Sequence, residues 1–211
     1  MKPWLFDILA CPIDKHYPLK LYIFKFETNR DELKEILSLF KKKDLTRIKK
    51  ENIIKISETN GVKFIKDNIM LEKTQIQPYL QSIIKSINEL DNIIDKTNLD
   101  VTKEFFQTIK LEIKPKVIKF LENPHENNID TLIPELYLLN KFKLEIEIET
   151  GLLYCEKCKR WYPIIDTIPQ MLPDKYRDEK KDLEFLKINK NLLDEKFLNQ
   201  DLKPFNINIL D

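Results

Sequence analysis

The spacing of hydrophobic residues predicts a short helix and then a strand at the start of the chain. In residues 4–10, large apolar side chains fall on one side of a helix, at Trp4, Leu5, Ile8 and Leu9. After Pro18, residues 19–24 alternate between Leu or Ile and other side chains, a period of two. That period predicts a strand with two usable faces.

The middle of the chain has a mainly helical pattern. Asn29 followed by Glu32 resembles a helix start, and further apolar stripes begin near residues 76, 101 and 132. Pro115 is expected to kink or divide the helix that begins near residue 101, and Asn123-Pro124 marks a loop. Residues 54–64 differ, because apolar residues alternate on both sides of Asn60-Gly61. We interpret this segment as a hairpin, with a helix ending at Gly61 as the alternative.

Strand periodicity returns at residues 142–149, where every second residue is apolar. Gly151 is expected to permit a tight bend after this strand. Residues 163–172 form an apolar segment bounded by prolines, which we predict to be one strand at a sheet edge, because proline cannot donate a ladder hydrogen bond. Residues 178–198 predict a charged helix, followed by a short apolar tail.

Composition excludes several function classes. Gly61 and Gly151 are the only glycines, whereas a Walker loop, a dinucleotide fingerprint or a glycine-flanked serine elbow needs several in one short segment. The net charge of +1 gives no overall basic footprint for nucleic acid. No apolar run approaches the roughly 18 residues of a membrane span, and the opening segment lacks a signal-peptide cleavage site. We therefore expect a cytoplasmic protein.

The cysteines carry the clearest chemical signal. Cys155 and Cys158 form a C-x-x-C between two predicted strands, a spacing typical of a zinc knuckle. The third cysteine, Cys11, lies in CPIDKH, which also holds His16 and Asp14. Cys11, His16, Cys155 and Cys158 would form a structural Cys3His zinc site. Asp14 is the alternative fourth ligand, but the borderline softness of zinc favours the imidazole.

Other interpretations of these residues remain open. A C-x-x-C can be a redox pair, although that motif usually begins a helix. A catalytic zinc site would keep an open position and use more imidazole and carboxylate ligands, and we do not expect an enzyme. The alternative function is a zinc-ribbon nucleic-acid-binding protein, in which the basic residues nearest the metal contact phosphates. These residues are Lys15, Lys157, Lys159 and Arg160.

Metal ligands from both ends of the sequence imply that the two ends share one domain. The expected fold is therefore α+β: a small zinc-binding β domain built from both termini, with an inserted α-helical domain. We expect the discontinuous zinc domain to comprise residues 1–27 and 141–175. The helical insertion would span residues 28–140, and a C-terminal helical extension residues 176–211.

Two segments of the chain resemble a known family. MKPWLFDILACPIDKHYPLKL at the start and GLLYCEKCKRWYPIIDTIPQML near the end are similar to the Trm112p-like family of methyltransferase activator subunits. The resemblance implies a small zinc-binding protein with this split arrangement and a helical insertion of variable length. The family's metal pattern falls on Cys11, His16, Cys155 and Cys158, where His16 replaces a cysteine that some members carry and others lack.

The resemblance also implies a function. Members have no catalytic activity themselves, and they bind S-adenosylmethionine-dependent methyltransferases that modify tRNA, ribosomal RNA or translation release factor. The partners would be Rossmann-fold enzymes held as heterodimers, with nucleic acid reached only through the enzyme. The short helix and the edge strand could cover an apolar edge of such a partner, or could instead fill the core of the zinc domain. The candidate partner-binding residues are Trp4, Leu5, Ile8, Leu9, Ile165, Ile168, Pro169, Met171 and Leu172.

Overall fold

The computed structural model describes residues 1–122 and 128–207. The expected α+β class is confirmed, with 50% of the residues helical and 19% in strands. The chain forms two compact units: a first unit of Met1–Glu27, Asn92–Thr97 and Glu147–Asp211, and a second unit of Thr28–Asp91 and Asn98–Ile146. The predicted loop at Asn123-Pro124 lies outside the described residues. Within the described residues, none of the helices combines the length and apolar character that crossing a membrane requires.

Nine α-helices and eight strands are found in the described residues. The helices are α1 (Pro3–Phe6), α2 (Arg30–Lys42), α3 (Leu45–Lys50), α4 (Ile76–Glu89), α5 (Asp100–Gln107), α6 (Lys114–Glu122), α7 (Ile133–Leu144), α8 (Glu179–Ile188) and α9 (Glu195–Leu198). The strands are β1 (Lys20–Phe26), β2 (Lys55–Thr59), β3 (Val62–Lys66), β4 (Thr74–Gln75), β5 (Ile93–Asp95), β6 (Ile148–Tyr154), β7 (Trp161–Ile165) and β8 (Ile168–Pro169).

The first unit is built on a five-stranded sheet with the order β5-β1-β6-β7-β8. The two central strands come from opposite ends of the sequence, and they pair antiparallel with Leu21 opposite Leu153. β5 pairs parallel to β1, with Leu21 opposite Ile93. The sheet therefore joins the two chain ends, and it positions the loops that carry the cysteines.

Gly151 lies inside β6, so the predicted bend at this residue is wrong. A Cβ atom at this position would lie 2.6 Å from the backbone oxygen of Tyr22 in β1. The pairing of the two strands is irregular next to this point, with register shifts between Ile23 and Phe26. The glycine is therefore needed for a close approach of two backbones rather than for a turn.

The predicted single edge strand at residues 163–172 is also wrong, because this segment forms a hairpin. Asp166 and Thr167 both have positive φ angles, 47° and 67°, as a two-residue hairpin turn requires. β7 lies inside the sheet, and the two-residue β8 forms its edge. Pro163 fits an interior strand because its carbonyl oxygen accepts from Gln170 on the β8 side. Its nitrogen faces that same side, so no donor to β6 is lost.

The C-terminal helices cover one face of this sheet. The predicted continuous helix at 178–198 is interrupted, since α8 and α9 are separated by a 3-10 turn at Lys190–Leu192. Phe185 lies near Trp161 with the rings nearly parallel (14°) and their centroids 6.3 Å apart. The core between these helices and the sheet comprises Tyr22, Phe24, Leu152, Tyr154, Trp161, Phe185, Leu186, Leu193, Phe197, Leu198, Leu202 and Ile207.

The predicted N-terminal helix is shorter than expected, because α1 ends at Phe6.

The second unit combines helices with a three-stranded sheet of order β2-β3-β4. The predicted helix start is confirmed, because the Asn29 side chain accepts from the backbone N–H groups of Asp31 and Glu32. The predicted hairpin is confirmed as β2 and β3, joined at Asn60-Gly61. Behind the hairpin, the buried Asp67 carboxylate accepts from the Tyr79 hydroxyl and the Asn140 amide.

Two helices of the second unit differ from a regular amphipathic helix, one next to Pro115 and one because it is buried. The helix that begins with α5 changes to π-helical hydrogen bonding at Thr108–Ile113, directly before Pro115, which agrees with the expected division. The strand predicted at residues 142–149 is wrong over its first part, because α7 continues to Leu144 and β6 begins only at Ile148. Helix α7 is buried on all sides, so its sequence has no polar face to reveal the helical period.

Candidate metal centre

The first half of the candidate metal centre is the loop between α1 and β1. The backbone N–H of Lys15 donates to the carbonyl oxygen of Cys11 at 2.9 Å, and the N–H of Cys11 donates to that of His16 at 2.9 Å. Lys15 has a left-handed φ of 58°, which reverses the chain. The Asp14 carboxylate accepts from the backbone N–H of His16 at 3.0 Å. Cys11 and Asp14 thus belong to one tight turn.

The second half is the C-x-x-C loop between β6 and β7. The backbone N–H of Lys159 donates to the carbonyl oxygen of Cys155 at 2.9 Å. The N–H of Cys155 donates to the carbonyl oxygen of Arg160 at 2.8 Å. Lys159 has a left-handed φ of 61°. This turn places Cys155 and Cys158 opposite the first loop.

Four donor atoms from the two loops meet in one cluster. The Sγ atoms of Cys11 and Cys158 lie 3.6 Å apart, and Oδ1 of Asp14 lies 3.6 Å from Sγ of Cys155. All four donor atoms lie within 4.8 Å of one another. Thiolates bound to a tetrahedral zinc ion at about 2.3 Å would be about 3.8 Å apart. The spacing and the donor types therefore fit a metal ion, and they are consistent with zinc.

The pKa values of the three thiols are shifted in different directions. Burial raises the pKa of Cys11, and it raises the pKa of Cys155 to about 12. Burial also acts upward on Cys158, but hydrogen bonds from the backbone and side chain of Arg160 outweigh it and lower the pKa of this thiol. Desolvation acts upward on Asp14 as well, yet hydrogen bonds led by the His16 amide lower its pKa to about 2. A metal ion that binds here would have to displace the protons of Cys11 and Cys155 against their raised pKa values.

The geometry favours Asp14 over His16 as the fourth ligand. In residues 1–122 and 128–207, the cluster of candidate ligand atoms contains Asp14 and does not contain His16. His16 instead contributes its backbone, since its carbonyl oxygen accepts from Cys11 and its N–H donates to Asp14. The prediction that His16 binds the metal has no support in this arrangement.

Two neighbours of the cluster were not predicted from the sequence to support the metal ligands, although Arg160 was considered as a phosphate contact. The Tyr162 hydroxyl lies 3.3 Å from Sγ of Cys11, and burial raises the pKa of this tyrosine. Arg160 binds both carboxylate oxygens of Asp174, at 2.9–3.1 Å, next to Cys158. Arg160 and Tyr162 lie two and four residues after Cys158, and groups that orient metal ligands are common in such neighbouring positions.

Comparison with known proteins places the chain in a family. The sequence model described as Trm112p-like protein matches residues 2–166, which include both cysteine loops. Neither the curated proteins nor the solved structures give a significant match. The family match covers most of the chain and agrees with the resemblance of its two cysteine-bearing segments. The chain therefore belongs to the Trm112p-like family.

Proposed function

We propose that this chain is a non-catalytic subunit that binds and activates S-adenosylmethionine-dependent methyltransferases. Their substrates would be tRNA, ribosomal RNA or translation release factor, as family membership suggests. The chain would stabilise a Rossmann-fold enzyme as a heterodimer in the cytoplasm, keep it soluble and support its cofactor binding. RNA would be reached only through the enzyme.

The observation that carries this proposal is an exposed apolar surface on the first unit. None of the nine candidate partner-binding residues is buried. Ile8 is 65% exposed and Ile168 is 59% exposed, whereas Phe6 at the end of α1 is 1% exposed. The core is therefore built from other residues, which leaves this set available to a partner. The set is Trp4, Leu5, Ile8, Leu9, Ile165, Ile168, Pro169, Met171 and Leu172.

The two parts of this surface are attached to neighbouring residues of β6. The backbone of Met1, two residues before α1, exchanges hydrogen bonds with Ile148 in β6. The backbone N–H of Thr167, in the turn before β8, donates to the carbonyl oxygen of Glu149, the next residue of β6. The start of α1 and the β7–β8 turn are thus fixed to adjacent residues of one strand, which supports a single continuous surface.

The second strand of the hairpin offers an edge for sheet extension. β8 is the last strand in the order of the five-stranded sheet, and it carries the exposed Ile168 beside Pro169. An exposed apolar strand at a sheet edge can pair with the sheet of another protein. We infer that the methyltransferase binds along β8, with α1 covering adjacent apolar surface.

The metal has a structural role in this proposal. A zinc ion held by both loops would link the segment before β1 to the segment between β6 and β7. The same segments lead into α1 on one side and into the β7–β8 hairpin on the other. Zinc would thereby hold the partner-binding surface in shape without taking part in the methyl transfer.

The alternative of a nucleic-acid-binding protein has less support from the charges around the cluster. Arg160 is bound to Asp174, and the Lys15 ammonium group donates to the carbonyl oxygen of Pro12 at 3.0 Å. Lys20 pairs with Glu156 of the C-x-x-C loop at 2.5 Å. Cations that already have acceptors gain less from phosphate contacts.

Co-purification tests the proposed function. The tagged chain is expressed in its native organism, and the bound proteins are identified by mass spectrometry. We expect Rossmann-fold methyltransferases with the unmodified chain and their loss with Ile168→Glu, because a charge would be buried at the contact. Ile188→Glu, at a position 73% exposed on α8, is the matched control and should retain them.

The proposal would be wrong if the unmodified chain recovers no methyltransferase. It would also be wrong if the enzymes stay equally active when the chain is removed. Metal content is measured in both variants, so that a loss of binding is not confused with a loss of the metal centre.

A further inference from the structure

The two loops of the metal cluster have the same backbone arrangement. In each, a cysteine is followed at the fourth position by a lysine with a left-handed φ, whose N–H donates to that cysteine's carbonyl oxygen. In each, the cysteine's own N–H donates to the carbonyl oxygen of the fifth residue. The loops can therefore be compared position by position. Asp14 then corresponds to Cys158, and His16 corresponds to Arg160.

This correspondence separates the two rival ligands. The third residue after the leading cysteine contributes a donor atom to the cluster in both loops, as Asp14 in one and Cys158 in the other. The fifth residue closes the turn with its backbone in both loops. In the second loop its side chain, that of Arg160, is directed to Asp174. A histidine at the equivalent place belongs to the turn closure and not to the ligand set.

From this we infer that Asp14 is the fourth ligand of a Cys3Asp centre, and that the metal enters and leaves on the Asp14 side. The inference rests on the zinc centre of the proposed function, and it concerns how this chain's own residues bind the ion. It differs from a closed centre of four equivalent ligands, because one position would be weaker and more open than the other three.

Burial and donor chemistry identify Asp14 as the open position. Cys11 and Cys155 are 0% exposed, whereas Asp14 is partly exposed. Cys158 is also partly exposed, but its donor atom is a sulfur. Carboxylate oxygen is a harder donor than thiolate and binds borderline-soft zinc less strongly. The most easily broken of the four bonds is therefore the one that faces solvent.

Metal release from the full-length chain tests this inference. Zinc is loaded to one equivalent, and its transfer to an excess of a chromogenic chelator is followed over time. We expect Asp14→Cys to slow release and Asp14→Ala to accelerate it, each by at least about tenfold, a change of the size seen when groups that support metal ligands are altered. His16→Ala is the matched control and should leave release unchanged. Circular dichroism checks that each variant is folded.

Cobalt gives a second measurement that needs no variant. The Co²⁺-loaded unmodified chain should show a tetrahedral spectrum with thiolate charge-transfer bands, and X-ray absorption should show three sulfur ligands and one oxygen ligand. Asp14→Cys should increase the charge-transfer absorption. An imidazole in the ligand shell, or faster release from His16→Ala than from Asp14→Ala, would overturn the inference.

The outcomes distinguish this inference from the proposed function. Zinc bound through His16 would contradict the Cys3Asp assignment alone, leaving the zinc centre intact. A chain that binds no metal would contradict both the assignment and the structural role of zinc. Neither result depends on a methyltransferase, whose binding is tested separately through Ile168.

Discussion

Gly151 lies so close to the backbone of Tyr22 that the sheet has no room for a side chain at this position. An added Cβ would be 2.6 Å from the Tyr22 carbonyl oxygen and 3.3 Å from Cδ1 of Ile164. These contacts join β1, β6 and β7, which come from the two ends of the sequence. Both tryptophans, Trp4 and Trp161, lie in the first unit, so tryptophan fluorescence reports the unfolding of this unit.

Gly151→Ala should destabilise the first unit by about 1–3 kcal/mol, because the added methyl group forces the strands apart. The measurement is urea unfolding followed by tryptophan fluorescence. Gly61→Asn is the control, and its unfolding is followed by far-ultraviolet circular dichroism because Gly61 lies in the second unit. Gly61 has a φ of 74° with no atom within 4 Å of an added Cβ, and asparagine tolerates this conformation. Equal stability of Gly151→Ala and the unmodified chain would contradict the close approach.

Leu186→Ala should destabilise the first unit by about 2–5 kcal/mol, the usual cost of a cavity at a buried leucine. Leu186 is 0% exposed in the core between α8 and the sheet. It also lies beyond the segment that matches the family model. Ile188→Ala, at an exposed position on the same helix, should change stability by less than about 0.5 kcal/mol. Similar results for the two variants would show that the C-terminal helices do not stabilise the sheet.

Removal of the metal should unfold the first unit and leave the second unit helical. Without an ion, the buried Cys11 and Cys155 must be reprotonated and the two loops lose their link. We expect a chelator to lower the midpoint of the fluorescence transition, with most of the far-ultraviolet circular dichroism retained. Cys155→Ser should behave like the chelated protein and no longer respond to chelator. An unchanged transition in a verified metal-free sample would disprove the structural role.

Asp67→Ala should destabilise the second unit, because it leaves buried donors without an acceptor, at about 1–3 kcal/mol each. The Asp67 carboxylate accepts from Tyr79, from Asn140 and from the backbone N–H groups of Ile69 and Met70. Tyr79→Phe removes one donor together with its bond and should cost less. Far-ultraviolet circular dichroism measures the loss of helix, and tryptophan fluorescence should report no change in the first unit. An equal effect of both substitutions would contradict the network.

Local chemistry made several features predictable from the sequence. Asn60-Gly61 identified the β2–β3 hairpin because few residue pairs accept two left-handed φ angles. The Asn29 cap identified the start of α2, and the C-x-x-C spacing identified one half of the candidate metal cluster. In each case the residues that determine the structure are neighbours in the sequence.

Features that depend on distant contacts were not predictable in the same way. The burial of α7 removed the polar face on which the helical period depends. Gly151 is explained only by Tyr22, which lies in another strand. The sequence does indicate Asp14 as a candidate metal ligand, since C-x-x-D in the first loop has the same spacing as C-x-x-C in the second. Ligand softness alone favours His16, whereas the equal donor spacing in the two loops favours Asp14.

The strand β5 limits how far this protein can be shortened. Residues 92–97 contain β5, which pairs with β1 in the first unit. The rest of the segment between Thr28 and Ile146 belongs to the second unit. A deletion that joins Glu27 directly to Glu147 would therefore remove a strand from the sheet as well as the helices. The uncovered backbone of Leu21 to Ile23 would become a site for self-association. A minimal version of the protein must keep these six residues or replace them with another cover.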